Sequence, residues 1–298
     1  MELFDFSIYG GVLAIFREIS DTHHQGSNCT NTIIAHFDEA TSNICGLFHH
    51  SAKESSMLLT RMLPISVKNN VKRFLWRRDL CRLAEHFGSD KWGIHRYAQH
   101  YQSHFESLRN QPLNILEIGV GGHESPTIGG ASLRMWKEYF PKAKIYAIDL
   151  FEKSALEEDR IKIFKGSQSD RKFLLSVVEK IGRVDIVIDD GSHINEHVLT
   201  SFEVLFPLLS SDGIYVIEDM QTAYWEEFGG SEDPSADYIS TSIPKKCIDW
   251  LNWEEFRGRP PEVGKTVVSL HAYHNIVFLK KGKNIEGSNK NHPHKVHS

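Results

Sequence analysis

From Pro112 to Gly282 the chain alternates short apolar runs with amphipathic stretches, and this alternation limits the possible folds more than any other feature. LNILEIGV, KIYAIDL, RIKIFKG, VDIVIDD and GIYVIED read as strands, while SLRMWKEYF, RKFLLSVVEKI and INEHVLTSFEVLFPLL read as helices. Strands interleaved with helices of this length imply βαβ units and a parallel sheet buried on both faces. TVVSLHAYHNIVFLKKG at 266–282 reads as two strands joined through Tyr273-His274-Asn275, a hairpin closing the sheet edge. The expected class is α/β: a doubly wound, mostly parallel seven-stranded sheet with a C-terminal antiparallel hairpin, preceded by a mainly helical N-terminal extension.

Ahead of the sheet, 71–110 reads as a helical lead-in, VKRFLWRRDLCRLAEHF and IHRYAQHYQSHFESL, broken at Gly88-Ser89-Asp90. Residues 1–70 show no sustained period and stand as an extension or accessory segment; 111–282 is the main domain and 283–298 a polar, mobile tail. The charge balance, 34 Lys and Arg against 39 Asp and Glu, has no long basic run, which argues against a nucleic-acid partner. The opening FDFSIYGGVLAIF is short, contains Asp5 and lacks preceding basic residues, so neither a signal peptide nor a membrane span is expected. Cys29, Cys45, Cys81 and Cys247 are too scattered for zinc or redox motifs, and reduced thiols in a cytoplasmic protein are expected.

In a doubly wound sheet, ligands bind beyond the carboxyl ends of the strands. The first strand runs into Gly119-Val120-Gly121-Gly122, where glycines permit positive φ and close approach of a ligand. The spacing is not GxGxxG, and the next helix begins only after HESPTIGGAS. A dinucleotide pyrophosphate wants a helix N-terminus directly behind the glycines, so a displaced helix suits a ligand without phosphates. Asp149 ends the second strand, where it can take ribose hydroxyls or simply cap a helix. Gly166-Ser167-Gln168 follows the third strand, as an adenine contact or a solvent loop. Glycines, acid and polar loop at successive strand ends point together to an adenosine-containing ligand.

Strand four ends in Asp189-Asp190 and strand five in Glu218-Asp219. Neighbouring strands lie about 4.8 Å apart, so Asp190, Glu218 and Asp219 would gather around one point. Clustered carboxylates repel unless a cation neutralises them, and oxygen ligands suit Mg²⁺. Helix capping by Asp190 and Asp219 is the bland alternative, and two adjacent acidic strand ends favour the cation. His193, beyond Asp190, is placed to act as a general base. Asp189 reads as structural, and His197 as a helix-surface or packing residue.

EIGVGG, YAIDL, GSQSD, IDDGSH and YVIEDMQTAYW together resemble the class I S-adenosylmethionine-dependent methyltransferases. More narrowly, they resemble the metal-dependent sugar O-methyltransferases of macrolide biosynthesis, of the mycinamicin and macrocin type. The likeness runs from about Gly88 to Lys281, including SDKWGIHRY and LHAYHNIVFLKKG. It implies that Glu117 to Gly122, with Gly119, Gly121 and Gly122, hold the methionine part of S-adenosyl-L-methionine. Asp149 would hold the ribose, with Ser132, Ser167 and Gln168 completing the cofactor set. It further implies Mg²⁺ on Asp190, Glu218 and Asp219, and His193 as the catalytic base. The implied acceptor is a hydroxyl of a sugar or of a glycosylated or polyhydroxylated metabolite, in secondary-metabolite biosynthesis. Tyr224, Trp225 and Phe228 would either offer that acceptor a flat surface or pack as a lid. Ser167 departs from the acid expected there, and residues 1–70 do not match the accessory domain, so the acceptor's shape and any homo-oligomer contacts are not implied. An NAD(P)-dependent oxidoreductase is disfavoured by the glycine spacing and by the lack of an obvious Tyr-x-x-x-Lys pair. A non-catalytic binding protein of the same fold would have no need of the Asp/His/Glu/Asp set.

Overall fold

Ile186, Val187 and Ile188 of strand β4 (Val184–Asp189) alternate between two different cores, and the layering of the fold follows from that alternation. The computed structural model describes residues 76–233, 243–255, 262–285 and 287–288. The expectations for residues 1–70, for 71–75 of the lead-in and for the end of the tail lie outside the described residues.

Ile186 and Ile188 face a core built with Leu80 and Leu83 of α1 (Leu80–Phe87), Tyr101 and Phe105 of α2 (Ala98–Phe105), and Trp136 of α3 (Ala131–Tyr139). Val184 and Val187 face the other core, with Leu174 and Val177 of α4 (Arg171–Ile181) and Val198 and Phe202 of α5 (Asn195–Leu205). Trp250 of α6 (Ile243–Leu251) joins this second core, its ring stacked 4.0 Å from that of Phe202. All six residues of β4 are buried, as a central parallel strand requires.

The other strands are β1 (Asn114–Ile118), β2 (Lys144–Asp149), β3 (Ile161–Lys165), β5 (Leu209–Ile217), β6 (Val267–Tyr273) and β7 (Ile276–Lys281). Their order is β3-β2-β1-β4-β5-β7-β6. The first five pair in parallel, and β7 lies antiparallel between β5 and β6. This is the doubly wound sheet with a closing hairpin expected from the alternation. The strand order reverses between β1 and β4, the place where such sheets open a ligand crevice.

Local signals set several element ends. Asp79 caps α1 by accepting from the Arg82 N–H, and Gly88 ends that helix at φ 70°, matching the expected break. Asp170 accepts from the N–H groups of Lys172 and Phe173 at the start of α4. β5 begins four residues earlier than GIYVIED suggested, because its pairing with β4 contains an irregularity between Val184 and Ile186.

Candidate active site

The glycine-rich end of β1 is held against its neighbours by contacts that only glycine allows. A Cβ on Gly119, at φ 97°, would stand 2.1 Å from the Asp190 carbonyl oxygen, so β1 and β4 meet here backbone to backbone. Beyond Gly119 the chain makes a long loop, closed where the Gly130 N–H donates to the Val120 carbonyl at 2.7 Å. Asp149 supports the loop from β2: its Oδ2 accepts from the Val120 N–H at 3.0 Å and its Oδ1 from the Phe151 N–H at 2.8 Å. Each oxygen keeps a further lone pair for a ligand hydroxyl.

These strand ends border a cleft of about 600 Å³, within the size range of small-molecule sites. Gly119, Gly121, Gly122, Asp149, Ser167 and Gln168 line one part of it, and Asp190, His193, His197 and Asp219 line another. Gln168 also works as a clip: its Nε2 donates to Asp189 Oδ1 at 3.1 Å, and its Oε1 accepts from the Ser192 N–H at 2.7 Å. The Ser167 hydroxyl pairs with that of Ser169 at 2.8 Å. His197, read from sequence as a surface or packing residue, lines the cleft and meets the Ser192 hydroxyl through Nδ1 at 3.0 Å.

Glu117 and Ser132 lie elsewhere. Glu117 is fully buried, accepts from Trp136 Nε1 at 3.0 Å, is hydrogen-bonded by Ser132, and does not border the cleft. Burial pushes its carboxyl up to about 7, with the neighbouring Lys91 ammonium opposing the shift. Asp189 is likewise internal, accepting from Gln168, Ser201 and Tyr215, and burial pushes it up to about 6 against those hydrogen bonds.

The acidic strand ends divide into two groups. Asp190, His193 and Asp219 each present a ligand atom within 4.8 Å of the others, the one such trio among the described residues. His193 Nε2 stands 3.4 Å from Asp219 Oδ2. Both residues have left-handed backbones, φ 58° for His193 and 52° for Asp219, an uncommon conformation for residues other than glycine. Glu218 turns inward instead. Its Oε1 accepts from Lys91 Nζ at 2.6 Å and from the Tyr101 hydroxyl, leaving its Oε2 without a hydrogen bond among the described residues.

Lys91 is the residue that sequence reasoning missed. Its side chain is fully buried, donates to Asp190 Oδ2 at 2.7 Å, and lies 3.4 Å from Glu117 Oε1. Burial alone would depress this ammonium, but the charges of Asp190, Glu218 and Glu117 outweigh it and hold the group well above its ordinary value. Tyr97 adds a hydroxyl that donates to Asp219 Oδ1 at 2.8 Å. Both come from SDKWGIHRY, within the expected likeness, yet no local pattern marks a lysine whose partners lie 99 and 127 residues away. Tyr224 and Trp225 are exposed; Tyr224 borders a separate apolar cavity with Ile248 and Tyr273, and the Trp225 and Phe228 rings lie 5.8 Å apart.

The donors at the cleft fit a hard divalent cation: Asp190 and Asp219 keep partly exposed carboxylates there, while Glu218 faces the interior beside them. The cleft fits an adenosine-bearing cofactor, with an acid beyond β2 and glycine backbone beyond β1.

No family model matches the chain. It is 46% identical over 215 residues to the mycinamicin VI 2''-O-methyltransferase of Micromonospora griseorubida, covering 70% of this chain and 54% of that protein. The same values hold for the demethylmacrocin O-methyltransferase of Streptomyces fradiae. The L-olivosyl-oleandolide 3-O-methyltransferase of Streptomyces antibioticus is 40% identical over 203 residues, covering 65% and 52% of the two chains. Among solved structures, the MycE methyltransferase of the mycinamycin pathway, in complex with Mg, SAH and mycinamycin VI, superposes with a TM-score of 0.67 at 46% identity. That match covers 70% of this chain and 55% of MycE. The chain thus spans about half the length of these relatives. Over the segment that matches, this chain is a relative of the sugar O-methyltransferases of the mycinamicin and macrocin type and carries their methyltransferase fold.

Proposed function

We propose that the protein is an S-adenosylmethionine- and Mg²⁺-dependent O-methyltransferase acting on a sugar hydroxyl of a glycosylated small molecule. The observation that carries this reading is the meeting of Asp190, His193 and Asp219 at the edge of a cleft that also contains Asp149 and the β1 glycines. The kinship with sugar O-methyltransferases supports the acceptor class. The free thiols of Cys81 and Cys247 suit a cytoplasmic enzyme. Among the described residues no helix is long and apolar enough to cross a membrane.

When bound, S-adenosylmethionine would supply the methyl group and Mg²⁺ would supply positive charge; Asp190 and Asp219 would hold the ion at the cleft, with Glu218 as the third carboxylate. His193 takes the proton of the reacting hydroxyl on its imidazole, and Asp219, 3.4 Å away, stabilises the imidazolium that results. Tyr97 and Gln221 both donate to Asp219 Oδ1, at 2.8 and 3.2 Å, and so fix that carboxylate's rotation. Lys91 fixes Asp190 and Glu218 from the interior, holding the carboxylates in register against their mutual repulsion. Orientation of the reactants is therefore the chain's main contribution.

The test is methyl transfer from labelled cofactor to macrolide and rhamnosylated polyketide acceptors. Transfer is expected with Mg²⁺ and lost with EDTA. His193→Ala is expected to lower kcat by about 10² to 10⁴ while S-adenosylhomocysteine still binds. Transfer that survives either treatment unchanged overturns the assignment.

A further inference from the structure

Lys153 is 1% exposed, and no carboxylate oxygen lies within ion-pair distance of it among the described residues. Its ammonium donates instead to backbone carbonyls: Gly121 at 2.7 Å, Ser125 at 2.7 Å and Ile128 at 3.1 Å. All three belong to the loop that follows β1. Lys153 itself follows β2, four residues after Asp149, whose carboxylate takes the Val120 N–H of the same loop. One segment thus reads the loop with an acid on an N–H and a base on carbonyls.

A buried ammonium needs all of its donors satisfied, and the loop meets that need by turning three carbonyls inward. A planar trans peptide points its N–H opposite to its C=O, and the structure contains no cis bond among the described residues. Drawing the Gly121 carbonyl onto Lys153 therefore turns the Gly122 N–H away from Lys153. Gly121, Gly122 and His123 all border the cleft, at φ 76°, 75° and 46°. Among the described residues the Gly122 N–H donates to no acceptor. Successive backbone N–H groups in such a turn form a concavity suited to an anion.

We propose that Lys153 is a positioning residue for the anionic end of the cofactor. By holding the Gly121–Gly122 peptide, it presents the Gly122 N–H to the carboxylate of the methionine part. This rests on the S-adenosylmethionine reading above and names the residue that sets the loop for it. A neutral side chain here would release the carbonyls and let the peptide rotate, which removes the donor while leaving the ribose acid in place.

The test compares the dissociation constants of S-adenosylhomocysteine and 5′-methylthioadenosine, which keeps the nucleoside and thioether but lacks the amino-acid end. Calorimetry on the full chain would measure both ligands with wild type, Lys153→Met and Lys153→Gln. Lys153→Met is expected to weaken S-adenosylhomocysteine by tenfold or more and to leave 5′-methylthioadenosine within twofold. Lys153→Gln keeps two N–H donors, one bond nearer the backbone than the ammonium, and is expected to lose less. It also serves as the readout should the methionine variant fail to fold. Equal weakening of both ligands, or of neither, overturns the positioning role. Wild-type protein that binds neither ligand overturns the cofactor reading and this inference with it.

Discussion

His193 and Asp219 face each other from backbones that most side chains avoid, and each such residue carries about 1–3 kcal/mol of strain. Neighbouring bonds hold Asp219 there: the Thr222 N–H donates to the Asp219 carbonyl at 3.0 Å, and the Met220 N–H to that of Asn275 at 3.0 Å. Behind them, Glu117 has a different consequence. Its carboxyl is raised from 4.5 to about 7, so the stability of the protonated, buried form is present below pH 4.5 and is lost as pH rises through about 7. Glu117→Gln has no such proton to lose. Relative to wild type, its unfolding free energy is expected to rise between pH 5 and pH 8, as measured by urea denaturation at the two values. An unchanged difference would mean that Glu117 does not titrate in this window. The acids at the ends of β4 and β5 were legible in the sequence because a strand end announces itself by the close of an apolar run. The inward turn of Glu218 was not, because it depends on Lys91 and Tyr101, which reach it only through the tertiary fold.

At the scale of elements, the lead-in helices act as part of the site. The turn between α1 and α2 delivers Lys91, and α2 delivers Tyr101, both fully buried against the acidic strand ends. Removing one partner of such a buried cluster leaves uncompensated charge, at a cost of about 3–5 kcal/mol. Lys91→Met is expected to lower the unfolding free energy by about that amount, and chemical denaturation would show it as a lower midpoint. A loss below about 1 kcal/mol would show that the carboxylates find other partners. Both helices were readable from their periodicity and from Gly88, whereas α6 was not recognised as a helix. Its sequence IPKKCIDWL follows a polar stretch of sequence and carries Pro244 near its start, and its burial rests on Cys247 and Trp250, the latter stacked on Phe202 of a distant helix. Tertiary contacts of that kind leave little local trace.

For the whole molecule, a cation that binds only the folded state must raise its stability. Mg²⁺ at 100 times its dissociation constant is expected to add about 2.7 kcal/mol. A thermal melt would register this as a higher Tm that EDTA reverses. In Asp190→Asn the shift is expected to shrink or vanish, and an equal shift in that variant would place the ion elsewhere.

The hairpin of β6 and β7 also governs the order in which the molecule can be completed. Tyr97 donates to the carbonyl of Asn275 at 3.3 Å across 178 residues of sequence, and the same carbonyl receives the Met220 N–H. A ribosome therefore releases the glycine loop, the acids and His193 well before the turn at His274-Asn275 exists. Until β7 arrives, β5 is an open sheet edge with unpaired backbone groups and apolar side chains, a surface prone to pairing with other chains. β7 closes that edge, and in the same movement the hairpin fastens the turn that carries Asp219.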